Sequence, residues 1–157
     1  MQISVVIPCY NETEVIEETI KKVKSFLQKN YQSFEILIID DKSTDNTLEI
    51  IKKINNIKIL RNLKNHGKGY SIKKGVKAAT GDWILFMDAD SSTDISELSK
   101  LSKYQKDYKL IIGSRALSAS EIKIRQSWFK IFLGKLGNLL IKIVLCTNIR
   151  DTQCGFK

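Results

Sequence analysis

The sequence predicts an α/β domain: a mostly parallel sheet sandwiched by helices. Three observations carry this expectation. Short apolar runs alternate with helical stripes along the chain, the runs are apolar at consecutive positions rather than every second one, and several of them end in Asp, Asn or Pro. Strands buried on both faces need helices on both faces, and parallel strands need the crossovers that those helices supply.

The elements follow in order. Residues 3–7 (ISVVI) form a β-branched run closed by Pro8 and Asn11, the pattern of a buried strand leaving its sheet. Glu12 to Gln28 carries Val15, Ile16, Ile20, Val23, Phe26 and Leu27 at helical spacing, with an acidic start and a basic end. Phe34 to Ile39 is a second continuous apolar run. Asp45 is placed to cap a helix through Ile54, with Thr47, Leu48, Ile51 and Ile54 inward. A third strand is expected at Ile57–Leu60, a helix at Gly69–Ala79, a fourth strand at Trp83–Met87, a helix at Ile95–Lys106 and a fifth strand at Lys109–Ile112. There is no internal repeat and no Gly/Ser/Pro linker, so residues 1–157 read as a single domain.

Composition narrows the function. A chain of 157 residues with 43% hydrophobic content buries a core that needs no disulfide or metal staple. No apolar run reaches the roughly 18 residues of a spanning helix, and the N-terminus lacks the basic start of a signal peptide, so a soluble, non-secreted protein is expected. Cys9, Cys146 and Cys154 form no C-x-x-C pair, and His66 is the single histidine. Neither a disulfide framework nor a zinc knuckle is indicated, and no Ser-His-Asp or Cys-His triad is expected. Chemistry must rest on carboxylates, cations, backbone groups or a bound ion. Residues 103–157 hold 11 Lys and Arg against 3 Asp and Glu, nearly all of the net charge of +9. That basicity suits an anionic partner or a solvated surface.

In parallel sheets, ligands bind beyond the carboxyl ends of the strands. Strand one exits into Pro8-Cys9-Tyr10-Asn11-Glu12, strand two into Asp40-Asp41-Lys42-Ser43-Thr44-Asp45, and strand four into Asp88-Ala89-Asp90. Two hard oxygen donors around a small residue suit Mg²⁺ or Mn²⁺, an ion that keeps positions for water and a diphosphate. D-x-D also occurs by chance as a surface pair; its place at the end of an apolar strand favours the metal. The segment Asn65-His66-Gly67-Lys68-Gly69 has neither P-loop nor dinucleotide spacing, and alone it reads as a tight turn with a solvated lysine. Arg115, just after the expected fifth strand, is either a phosphate partner or a surface arginine.

The runs VVIPCYNE (5–12), IIDDKSTDNT (38–47), NHGKGYSIKKGVKAATGD (65–82), MDAD (87–90), GSR (113–115) and DTQCGFK (151–157) resemble the nucleotide-sugar domain of glycosyltransferase family 2. The branch that glycosylates polyprenyl or dolichyl phosphate is most similar. DTQCGFK and IRQSW (124–128) look most like its dolichyl-phosphate glucosyltransferases. The resemblance implies a GT-A (Rossmann-like) fold and an inverting, metal-aided transfer from a nucleoside diphosphate sugar, UDP-glucose in the first instance, to polyprenyl or dolichyl phosphate. By the same resemblance, Pro8, Tyr10 and Glu12 would line the nucleoside pocket, and Ile39 and Asp41 would face the base. Asp88, Ala89 and Asp90 would hold diphosphate and the Mg²⁺ or Mn²⁺ ion, with Asp88 and Asp90 as the metal ligands. Arg115 would meet phosphate, and Asp90 and Arg115 would be catalytic. Ser92 stands where the mannosyl branch often has a glutamine able to join the metal shell.

A phosphate acceptor is already anionic, so the reaction needs cations and positioning rather than a general base. Lys123 and Arg125 are candidates for the acceptor phosphate. Residues 120–147 form a basic amphipathic segment: Trp128, Phe129, Phe132, Leu136, Leu139, Leu140 and Ile143 make an apolar stripe beside Lys135, Asn138 and Lys142. Such a stripe either lies on an anionic membrane near the acceptor or packs on the sheet. No motif supports nucleic acid as a partner. The expectation is a peripheral enzyme at the cytoplasmic face of a membrane. GDP-mannose as donor, a saccharide as acceptor, and a non-catalytic nucleotide-sugar-binding fragment are the alternatives. The chain stops at Lys157, inside a block after which this family normally continues, so a C-terminally truncated domain is expected.

Overall fold

The computed structural model describes residues 2–114 and 154–157. Four strands form one sheet: β1 (Gln2–Cys9), β2 (Ser33–Asp40), β3 (Lys58–Arg61) and β4 (Trp83–Phe86), in the order β3-β2-β1-β4, with every pairing parallel. Helices α1 (Ile16–Asn30), α2 (Thr47–Lys52) and α3 (Lys68–Ala78) are the crossovers. The central strand β1 is buried from Ile3 to Cys9.

The two faces of the sheet are covered differently. Ile3, Val5, Ile7, Ile36 and Ile38 pack against the stripe Ile16, Ile20, Val23 and Leu27 of α1 and against Leu48 and Ile51 of α2. On the other face Val6, Leu37 and Ile39 meet Ala78, Ala79, Ile84 and Phe86. Here α3 lies close to the sheet because its inward positions are small: only Ser71 and Gly75 are buried in it. A Cβ on Gly75 would overlap Val6 Cγ1 and stand 2.8 Å from Ile39 Cδ1.

Two expected elements differ. Lys109–Ile112 forms no strand. The place beside β4 is taken by the C-terminal residues, which run antiparallel: Phe86 donates to the Lys157 carbonyl at 2.8 Å, Lys157 donates back at 3.1 Å, and Met87 is bridged to Phe156. Gly113 then donates to the Phe156 carbonyl at 3.0 Å, one layer further out. Apolar content marks the 109–112 run as buried, but pairing depends on which segment reaches the edge of β4. The helix expected at Ile95–Lys106 is broken into a 3₁₀ turn (Ile95–Glu97), a single α-turn α4 (Leu98–Leu101) and a second 3₁₀ turn (Ser102–Tyr104). Ile95, Leu98, Leu101 and Tyr104 recur every third residue, the 3₁₀ period, and Ser102 Oγ bonds the Ser99 carbonyl at 3.0 Å. The segment 120–147 and residues Arg115, Lys123 and Arg125 lie outside the described residues.

The tight seat of α3 gives a paired prediction. Gly75→Val should lower stability by about 1–3 kcal/mol through overpacking. Gly69→Ala, on the same helix with nothing within 4 Å of its Cβ, should be neutral or stabilising by up to about 1 kcal/mol. Urea unfolding midpoints measure both; equal effects would contradict the packing.

Candidate functional site

The strand order places a topological switch between β1 and β4. From β1 the chain moves through β2 to the β3 edge, then returns over α3 to the opposite side of β1, so the loops after β1 and β4 diverge and leave a crevice. The β1–β4 register ends at Val6–Phe86, and Met87 N–H donates to the Val6 carbonyl at 3.1 Å. Pro8, the next residue on that edge, has no N–H to continue the ladder. Toward β2 the pairing persists, since Asp41 donates to the Cys9 carbonyl at 2.9 Å. The three strand exits each turn on one left-handed residue: Asn11 (φ 56°), Lys42 (φ 66°) and Ser91 (φ 51°). Such turns in non-glycine residues cost about 1–2 kcal/mol each and persist where surrounding bonds hold them.

The holding bonds are present. Asn11 N–H donates to Ser43 Oγ at 3.0 Å, Glu12 N–H to Thr47 Oγ1 at 2.8 Å, and Thr44 N–H to Asn11 Oδ1 at 2.8 Å. Asp45 accepts from Thr47 N–H at 3.0 Å and also from Thr13; the N-cap of α2 is the next residue, Asn46, rather than Asp45, and the helix ends at Lys52 instead of Ile54. Burial, the largest single cause, pushes the Asp45 carboxyl up, but the bonds from Thr13 and Thr47 together outweigh it and bring its pKa down to about 2. A cavity of about 430 Å³ lies along Asn11–Val15, Asp45 and Asn46.

Asp40 and Asp41 look in different directions. Asp40, fully buried, pairs with Arg61 Nε at 2.9 Å and accepts from Ser43 N–H at 3.0 Å. Asp41 is 3% exposed and gathers the loop before α3: Asn62 Nδ2 at 2.6 Å, His66 N–H at 3.0 Å and Gly67 N–H at 2.7 Å. Burial raises its carboxyl, and the donors, with Ser71, more than reverse this and hold it below the usual carboxylate range. One residue thereby fixes where α3 begins.

Asp88-Ala89-Asp90 is anchored through its middle. Ala89 is 3% exposed and its carbonyl accepts from Thr19 Oγ1 of α1 at 2.7 Å. Asp90 is exposed and accepts from Ser92 N–H at 2.9 Å. Asp88 is clamped: its Oδ1 meets Lys68 Nζ at 2.5 Å, and a Cβ on Gly155 would overlap its carboxylate. Glu12 stands opposite. Burial first, then the charges of Asp90, Asp45 and Asp88, raise its pKa above the usual carboxylate range. Neighbouring carboxylates that disfavour the charged form of Glu12 make a cation among them favourable. Among the described residues no three such side chains converge closely enough to hold a metal alone. Two carboxylates with open positions fit Mg²⁺ or Mn²⁺ completed by a diphosphate.

The structure thus brings Glu12, Asp88, Ala89 and Asp90 to one crevice. Tyr10, 43% exposed, stands at its β1 side. Pro8 is buried within β1, and the Ile39 side chain is fully buried under Gly75, so any ligand contact from Ile39 falls to its main chain. Sequence reasoning missed Thr19, Asn62, Lys68 and Gly155. Thr19 had a visible signal, a polar residue on the buried stripe of α1. Lys68 is not a solvated turn lysine but the ion-pair partner of Asp88.

The depressed carboxyl of Asp45 has a signed consequence. A lowered folded pKa contributes stability above its ordinary 3.8 that is lost as pH falls toward about 2. The urea midpoints of the wild type and Asp45→Asn should differ at pH 6 and converge as pH is lowered through that window. A constant difference down to pH 2 would contradict it.

Comparison with known proteins places this geometry. The family model of glycosyl transferase family 2 matches residues 4–157. A dolichyl-phosphate beta-glucosyltransferase of Trichomonas vaginalis is 35% identical over 171 residues, covering 99% of this chain and 52% of its own length. The dolichyl-phosphate beta-glucosyltransferase of Saccharomyces cerevisiae is 35% identical over 178 residues, with 99% and 53% covered. The chain therefore spans about half the length of the curated relatives it matches. Among solved structures, Staphylococcus aureus TarS 1–349 in complex with UDP-GlcNAc superposes with a TM-score of 0.54 at 26% identity, over 68% of this chain and 32% of that one. The fold is the mostly parallel GT-A arrangement. On the family match over nearly its whole length, the chain belongs to glycosyl transferase family 2.

Proposed function

We propose that this chain supplies the donor half of an inverting glycosyltransferase that moves glucose from UDP-glucose to a polyprenyl or dolichyl phosphate. The observation that carries the reading is the Asp88-Ala89-Asp90 turn at the switch point, facing Glu12. The glucosyltransferase relatives support the sugar and the acceptor, and the UDP-GlcNAc bound to TarS supports a uridine donor.

Asp88 and Asp90 would hold a divalent cation, Mg²⁺ or Mn²⁺. When bound, that ion neutralises charge building on the leaving diphosphate. The residues of the chain do the rest. Thr19 fixes the turn through the Ala89 carbonyl, so both carboxylates keep their aim. Tyr10 and the main chain at Pro8 and Ile39 border the nucleoside, and Asp41 holds the neighbouring loop in place. Glu12 closes the crevice from the β1 side and contributes negative charge that draws the cation in. No general base is needed because a phosphate oxygen attacks as an anion. His66, stacked on Tyr70 with ring centroids 4.2 Å apart, is engaged elsewhere.

The acceptor assignment rests on sequence pattern: Arg115, Lys123, Arg125 and the basic amphipathic stretch 120–147 would meet the lipid phosphate at a membrane surface. Among the described residues no helix is long and apolar enough to cross a membrane. Peripheral attachment at the cytoplasmic face is part of the same proposal and rests on the basic amphipathic stretch 120–147.

Calorimetric titration with UDP and with GDP, each with and without Mn²⁺, tests the donor site. UDP should bind only with the metal, and Asp90→Ala should lower that affinity at least about tenfold while circular dichroism shows the fold intact. Unchanged UDP affinity in the variant would remove the metal assignment, and a preference for GDP would move the reading to a mannosyl donor. Radiolabelled glucose entering an organic-phase lipid phosphate would establish transfer.

A further inference from the structure

We propose that Lys68 is a built-in competitor for the divalent cation at Asp88, so that metal entry requires displacement of the lysine. The inference rests on the donor-site reading and assigns Lys68 a positioning role in it.

Three observations converge. Lys68 Nζ lies 2.5 Å from Asp88 Oδ1, an oxygen buried from solvent and, among the described residues, with no other hydrogen-bond partner. A cation and an ammonium group cannot both take the inward position of that oxygen. On its other side the carboxylate abuts the Gly155 backbone, where any Cβ would overlap all three carboxylate atoms, so Asp88 cannot turn away from the lysine toward Gly155. Finally, Lys68 is not free to drift from below. It is the first residue of α3, and the two residues before it, His66 and Gly67, are bonded through their N–H groups to the buried Asp41. Its side chain is 53% exposed, so the ammonium itself can swing out to water at modest cost.

The consequence is a coupling between metal and donor. Metal alone must compete with an ion pair and binds weakly. A diphosphate brings negative charge that can partner the displaced ammonium as well as the metal, so each ligand improves the affinity of the other. Asp88 therefore stays paired with Lys68 between turnovers.

Mn²⁺ titration followed by electron paramagnetic resonance of the free ion tests this on the full chain, with and without UDP. Lys68→Met should bind Mn²⁺ alone about threefold or more tighter than wild type, the reverse of what loss of a structural lysine produces. The factor by which UDP improves Mn²⁺ affinity should shrink in the same variant. Lys64→Met removes an exposed positive charge from the same loop and controls for general electrostatics; it should stay within about twofold of wild type. If wild type binds Mn²⁺ with UDP but Lys68→Met matches wild type or Lys64→Met for Mn²⁺ alone, the competition is overturned and the donor site stands. If wild type, shown to be folded, binds no Mn²⁺ with UDP, the donor-site reading falls and the competition with it.

Discussion

The β1–β4 ladder closes with the bond from Met87 to the Val6 carbonyl, and two residues later Pro8 offers no donor with which to extend it. Because β1 is the strand on which both halves of the sheet are built, this parting sets the position of everything beyond it. Toward β2 the strand continues one more bonded step, so the β1 and β2 exits stay together and are laced by Ser43, Thr47 and Asn11. Toward β4 the exits separate, and the separation is the crevice. Asp88 and Asp90 fall on one side of it and Glu12 on the other.

A crevice lined by carboxylates is unfavourable in isolation, and the chain offsets this locally. The two buried acids at the β2 exit are occupied, Asp40 by Arg61, and Asp41 by Asn62, His66 and Gly67 of one loop and by Ser71 of α3. Burial and the surrounding carboxylates also push the Cys9 thiol up to about 12, which keeps it protonated and inert beneath the site. Among the described residues, what remains is Glu12 and the Asp88–Asp90 turn, with Lys68 set against Asp88. The arrangement concentrates the demand for positive charge at one point, where a divalent ion and a diphosphate together satisfy it.

Much of this was legible in the sequence. Strands β1 to β4 announce themselves because residues buried on both faces must be apolar in succession, and the order of helices and strands then places Asp41 and Asp88 at one end of the sheet. The D-x-D turn gained meaning from that placement rather than from its composition. What could not be read depends on contacts between distant segments. The 109–112 run looks like a strand, yet the edge of β4 belongs to residues after 154. Lys68 reaches Asp88 only because α3 crosses back over the sheet, and Gly155 reaches it from the far end of the chain. The serine-rich stretch after Asp94 is a subtler case: a helix is expected there, but its apolar residues recur every third position, the 3₁₀ period.

Paramagnetic broadening of backbone amides by Mn²⁺ in the presence of UDP, on the isotopically labelled chain, would locate the cation directly. The account predicts loss of signal centred on Asp88–Ser92 and on Glu12, fading toward the amino ends of β1 and β4. Broadening centred elsewhere, such as the apolar cavity of about 410 Å³ beside Trp83 and Leu98, with the 88–92 signals intact, would contradict it.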